Sequence, residues 1–248
     1  MLLLSTAALA QDRPARISER YREVLRQIEQ MRRAKAPSVS VGEPNSAKLL
    51  NACELPAKGY GVRLLNAGRK TNFGTDEMVF GLMELGAQMG DRWGDDGTFG
   101  VGDISDQDGG KLSPHISHQG GRDADVGYYI CDDKGRPQGN RMLTCGKDGT
   151  SKEGTLRFDV ARNWEFVCAM MDSPHFGGEI RFILIAEWLK KLLVEHGEER
   201  AAKARTAAER DYHAKRAKRA EQVLDVKNDH DNHFHLRIKC TREDNKEG

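Results

Sequence analysis

The sequence predicts an α+β fold: an antiparallel β-sheet bearing a polar site, flanked by helices, with an additional N-terminal helix and a long charged helical segment. Three observations predict it. Apolar residues recur at helical spacing near the N-terminus and over 75–89. The stretch "NDHDNHFHLRIKC", residues 228–240, alternates polar and apolar side chains from His233 onward with the period of a strand. The stretch "SPHISHQGGRDADVGYYI", residues 113–130, gathers two histidines, two aspartates and an arginine just before a β-like run.

The 248 residues suffice for one sizeable domain. Charged residues make up 31% yet the net charge is only +1, which argues against a general nucleic-acid binder and against an acidic disordered tail. No run of eighteen apolar residues occurs, so no membrane-spanning helix is expected.

Residues 1–10, "MLLLSTAALA", read as a signal-peptide remnant, with Ala8 and Ala10 matching the small-residue pattern of a cleavage site. The positively charged start of such a segment is missing, and a buried first helix is the alternative. Residues 11–49 form an N-terminal helix and linker. Ile17, Tyr21, Val24, Leu25, Ile28 and Met31 share a helical face over 14–35, and Pro37 ends it. "APSVSVGEPNSA" then reads as the linker to the main domain, residues 50–248.

Within that domain "GVRLL", residues 61–65, suggests a strand. "TDEMVFGLMELGAQM" suggests a helix capped by Thr75. Residues 157–171 mix strand and helix signals, and 179–197 read as a buried strand running into a helix. Residues 198–222 are rich in Ala, Arg, Lys and Glu. They read as one long helix, either solvated and held by charge pairs four apart or a basic arm for an anionic polymer.

Of five cysteines none forms a C-x-x-C pair. Cys131 could pair with Cys145, and Cys53 with Cys240, leaving Cys168 over; the alternative is buried free thiols.

The chemistry concentrates in two stretches. On a strand, His233, His235 and Arg237 share one face while Phe234, Leu236 and Ile238 take the other. Asp123 and Asp125 alternate likewise, and Gly120 and Gly121 permit a bend that brings His118 toward Asp125. Two imidazoles and a carboxylate, His118, Asp125 and His235, leave one tetrahedral position of Zn²⁺ for water, the arrangement of a catalytic site. A bound zinc lowers the pKa of that water to roughly 7. His233 is placed to take a proton or to stabilise an oxyanion. No H-E-x-x-H, G-x-S-x-G or P-loop competes.

These blocks resemble those of the penicillin-insensitive murein endopeptidases, relatives of the lysostaphin-type and D-Ala-D-Ala zinc peptidases. Ser117 to Asp125 follows S-H-Q-x-G-x-D-x-D, and His230 to Cys240 is similar to the second block. "DSPH", Asp172 to His175, is similar to an internal Asp-x-x-H of the family. The resemblance covers roughly residues 50–243. It implies His118, Asp125 and His235 as zinc ligands and His233 as the catalytic histidine. It also implies His115, Asp172, His175 and His230 as accessory or second-metal residues. The implied reaction is D,D-hydrolysis of the D-alanyl–diaminopimelyl cross-link between peptidoglycan stem peptides, in the periplasm or elsewhere in the envelope, with no serine acyl-enzyme for penicillin to trap.

Arg122 and Arg237 could hold a substrate carboxylate by bidentate contact; a surface arginine and a structural salt bridge are the alternatives. A non-catalytic zinc-bearing wall-binding module, or a carboxypeptidase or L,D-cleaving relative, are the competing functions.

Overall fold

The structure is a computed structural model that describes residues 17–176, 180–241 and 244. The signal-peptide reading of residues 1–10 lies outside the described residues. In chain order, α1 (Glu19–Ala34) is followed by β1 (Val39–Val41), β2 (Lys48–Leu50), β3 (Cys53–Glu54), β4 (Lys58–Gly59), β5 (Val62–Leu64) and β6 (Phe73–Gly74). Then come α2 (Asp76–Trp93), β7 (Phe99–Val101), β8 (Asp123–Asp132), β9 (Pro137–Arg141), β10 (Leu156–Phe158) and α3 (Val160–Asp172). The chain continues through β11 (Ile180–Ile185), α4 (Glu187–Ala202), α5 (Ala207–Val223), β12 (Leu224–Val226) and β13 (His233–Ile238). The α+β class read from the sequence is the observed one.

The main sheet runs β12-β11-β13-β8-β7-β5-β4, with β9 and β10 hooked onto β8. Its centre, β11, β13 and β8, is antiparallel. Parallel pairs join β5 to β7 and β11 to β12 toward the rims, so the sheet is mixed rather than purely antiparallel. Parallel neighbours need a crossover of a dozen residues or more. For β11 and β12 the α4–α5 hairpin supplies it. The charged segment expected as one helix is thus two. Thr206 caps α5 and exchanges hydrogen bonds with Glu209 in a capping box, which restarts the helix after Ala202.

Side chains from β13 and β8 meet α3 on one face of the sheet. Phe234 lies edge-on to Tyr128 at 4.6 Å and near Phe158 and Phe166, burying the apolar phase of the strand pattern. α2 is buried along most of its length and begins at the expected Thr75 cap. It passes so close to Gly61 that a Cβ there, on a backbone at φ +75°, would sit 1.8 Å from the Gly86 carbonyl oxygen.

All five cysteines are free thiols, so neither expected disulfide is closed. Cys145 turns its thiol to the Leu143 carbonyl and Cys240 lies against Arg122. Burial pushes the Cys53 and Cys145 thiols up to about 12 and Cys168 up to about 11, the behaviour of inert core residues.

α1 is capped by Ser18 and buries Tyr21, Val24 and Ile28. The Tyr21 hydroxyl donates to Glu84 Oε1 at 2.9 Å, and His175 Nε2 lies 3.2 Å from Glu84 Oε2. Burial raises the Glu84 pKa, but the bonds from His175 and Tyr21 outweigh it and hold the group below its ordinary value. A depressed carboxylate stabilises the fold above its unfolded pKa of about 4.5 and loses that contribution as pH falls through the folded pKa. Tyr21→Phe removes one donor and is expected to move acid unfolding to higher pH. Thermal melts between pH 7 and pH 3 check this; an unchanged acid limb would refute it.

Candidate metal centre

Strand register sets the site. His235 pairs with Asp125 across the β13–β8 ladder, Arg237 with Asp123, and His233 with Gly127. The alternation read from sequence therefore becomes a shared face of two aspartates, two histidines and an arginine. The loop before β8 adds His118 from the side. Its backbone is left-handed, φ +67°, a conformation that costs a non-glycine residue roughly 1–3 kcal/mol. The turn also needs Gly121, at φ +71°, where a Cβ would stand 2.8 Å from Gly74 Cα.

Three buried donor atoms converge. His118 Nε2 lies 3.2 Å from His235 Nδ1 and 3.3 Å from Asp125 Oδ1, and His235 Nδ1 lies 3.1 Å from the same oxygen. Ligands about 2.0–2.1 Å from a tetrahedral zinc stand about 3.3 Å apart, so the triangle fits such an ion. The other ring nitrogens are committed elsewhere, which leaves these atoms to face one another: His118 Nδ1 to the Ile104 carbonyl at 2.9 Å, His235 Nε2 to Asp123 at 2.7 Å.

His115, His118 and Asp125 also offer ligand atoms within 4.8 Å of one another. His115 Nδ1 stands 3.8 Å from Asp125 Oδ2, while its Nε2 contacts Asp103 at 2.9 Å. The two sets share His118 and Asp125. The His235 set is the tighter and more buried.

The charges are arranged for a cation. Burial disfavours ionised Asp125, but bonds from His118, His233 and His235 carry its pKa well below the usual range. Burial also opposes ionisation of Asp123, and His235 and Arg237 overcome it. Burial pushes His235 down, yet Asp123 and Asp125 raise it to about 9.

His233 Nε2 is 3.4 Å from Asp125 Oδ1, beside the triangle. His230 packs at 4.9 Å from His233 and 5.5 Å from His235. Asp172 and His175 are not brought to this cluster: Asp172 pairs with Arg216, and His175 with Glu84. Arg122 is buried, donating to Ser40 Oγ and the Gly42 carbonyl and touching Cys240. Arg237 lines a cleft of about 510 Å³ with His115, Ile116, Phe182, Lys227 and His235. Asp103, Phe182 and Lys227 drew no functional reading from sequence; Asp103 opens "DISDQDGG" without any local sign that its carboxylate reaches His115.

Residues 40–158 match the family model of the penicillin-insensitive murein endopeptidases. Over this span the chain is similar to that family. The murein endopeptidase match contains His115, His118, Asp123 and Asp125 but stops before β13, so His233 and His235 join the centre by strand pairing outside it. No curated protein matches the chain. No helix among the described residues is long and apolar enough to cross a membrane. The match supports an enzyme of the peptidase class, and the matched span holds a candidate His/His/Asp metal group, His115, His118 and Asp125.

Proposed function

We propose that the chain is a zinc-dependent murein D,D-endopeptidase that hydrolyses D-alanyl–meso-diaminopimelyl cross-links of peptidoglycan. The carrying observation is the triangle of His118 Nε2, His235 Nδ1 and Asp125 Oδ1, separated by 3.1–3.3 Å, on a chain with a murein endopeptidase span. These three residues would hold the ion, with His115 and His230 as accessory groups. When bound, zinc supplies Lewis acidity that brings water to a pKa of roughly 7 and polarises a carbonyl.

The protein's own groups do the rest. Asp125 balances the positive charge. His233, with Nδ1 against Asn232, turns Nε2 toward the centre and moves the proton between water and the leaving amine. The cleft beside His235 takes the stem peptide, and the Lys227 ammonium in its wall suits the free carboxylates that flank the scissile amide. Such a substrate puts the enzyme in the cell envelope.

Digestion of purified cross-linked muropeptide dimers, followed by mass analysis, tests the reading. Monomers ending in D-alanine are expected, with loss of activity on chelation and recovery on adding zinc. Release of terminal D-alanine alone would make the protein a carboxypeptidase, and cleavage at an L,D bond or none would equally overturn the assignment.

A further inference from the structure

The site face continues in two rows across three strands. Phe182 on β11 pairs with Arg237, which pairs with Asp123; Leu184 pairs with His235, which pairs with Asp125. The second row carries two of the three proposed ligands. The first row carries none, yet it is joined to the second by a diagonal bond, Asp123 Oδ1 to His235 Nε2 at 2.7 Å.

Asp123 is 1% exposed, so its charge must be met inside the protein. The same Oδ1 accepts from Arg237 Nε at 2.6 Å. Arg237 is itself held flat, its guanidinium 4.9 Å from the centre of the Phe182 ring. That ring also stacks on His235, 29° from parallel at 6.2 Å. Phe182 therefore bears on both ends of the chain of bonds.

We infer that Asp123 and Arg237 are positioning residues of the metal centre. Asp123 accepts from His235 Nε2–H, which fixes the tautomer and leaves the Nδ1 lone pair for the ion. Arg237 acts through Asp123, keeping its carboxylate aimed at the His235 ring. This rests on the zinc reading above, and it assigns Arg237 to the support of His235 rather than to the grip on substrate. Its Nε is already spent on Asp123, so the side-on fork that uses Nε is not free for a bidentate carboxylate contact.

A double-mutant cycle separates the roles. Zinc affinity is measured by competition with a chromophoric chelator, and the absorption spectrum of the cobalt(II)-loaded protein reports ligand geometry. Asp123→Ala is expected to weaken zinc binding by about 10–100-fold and to change the cobalt spectrum. Arg237→Met keeps a flexible stem against Phe182 but removes the donor, and is expected to give a smaller loss in the same direction. The double variant should bind zinc no more weakly than Asp123→Ala alone, because one residue acts through the other. Arg237→Lys should recover part of the loss.

Unchanged zinc affinity in Asp123→Ala would overturn the inference. So would an Arg237→Met protein with normal zinc affinity and only a raised KM, which is the signature of a substrate contact. If circular dichroism shows that Asp123→Ala does not fold, Asp123→Asn replaces it in the cycle, with weakened zinc binding expected and normal binding again refuting. Wild-type protein that binds no zinc would remove the zinc reading itself, a result distinct from normal zinc binding in the variants.

Discussion

Asp125→Ala is expected to yield a folded protein that neither retains zinc nor cuts cross-links. The Asp125 carboxylate is the hub of the centre: His118, His233 and His235 all place a nitrogen within 3.4 Å of its Oδ1. Removing it takes away one donor of the triangle and the negative charge that a divalent cation would meet. The imidazoles left behind keep their other contacts, His118 to the Ile104 carbonyl and His235 to Asp123, so the fold should persist. Zinc content after dialysis and the rate on muropeptide dimers should both fall to background. A variant with stoichiometric zinc and the parent rate would remove Asp125 from the centre.

His233→Ala is expected to separate the two properties that Asp125→Ala loses together. His233 is the farthest of the three imidazoles from Asp125 Oδ1, at 3.4 Å, and it faces Gly127 across the ladder rather than a second carboxylate. Its proposed work lies in proton transfer, a contribution of about 10²–10⁴-fold. Zinc content should stay at the parent level while kcat falls by that factor. If His233→Ala lost zinc as completely as His235→Ala, the division between ligand and catalytic histidine would be wrong.

The face shared by His233, His235 and Arg237 was legible because a strand has a period of two, so sequence alone says which side chains look the same way. The pairing of that face with Asp123 and Asp125 was only half legible. Alternation gives each strand its faces, but no local signal aligns two strands 110 residues apart. The fold class was readable from periodicity, and the crossover was not. Residues 198–222 have helical composition throughout, and the break shows only in the T-x-x-E of Thr206 to Glu209.

His175 and Arg122 mark the limit. His175 meets Glu84 and Arg122 meets Ser40 through packing of distant segments. Resemblance to a family Asp-x-x-H groups His175 with the metal, and closeness to the zinc motif groups Arg122 with the substrate. The disulfides fail for a like reason: spacing cannot tell which way a thiol points.

The order of strands would also govern when the proposed activity can arise. β13 occupies the slot between β11 and β8, yet it is the last of the sheet's strands to be made. His118 and Asp125 are synthesised long before their partner. A nascent chain that has not reached residue 235 holds only part of the proposed ligand set, and contacts this remote in sequence form slowly. On the proposed function, such a chain would have no cutting power until β13 joins the sheet, and a product truncated before residue 235 would never gain it.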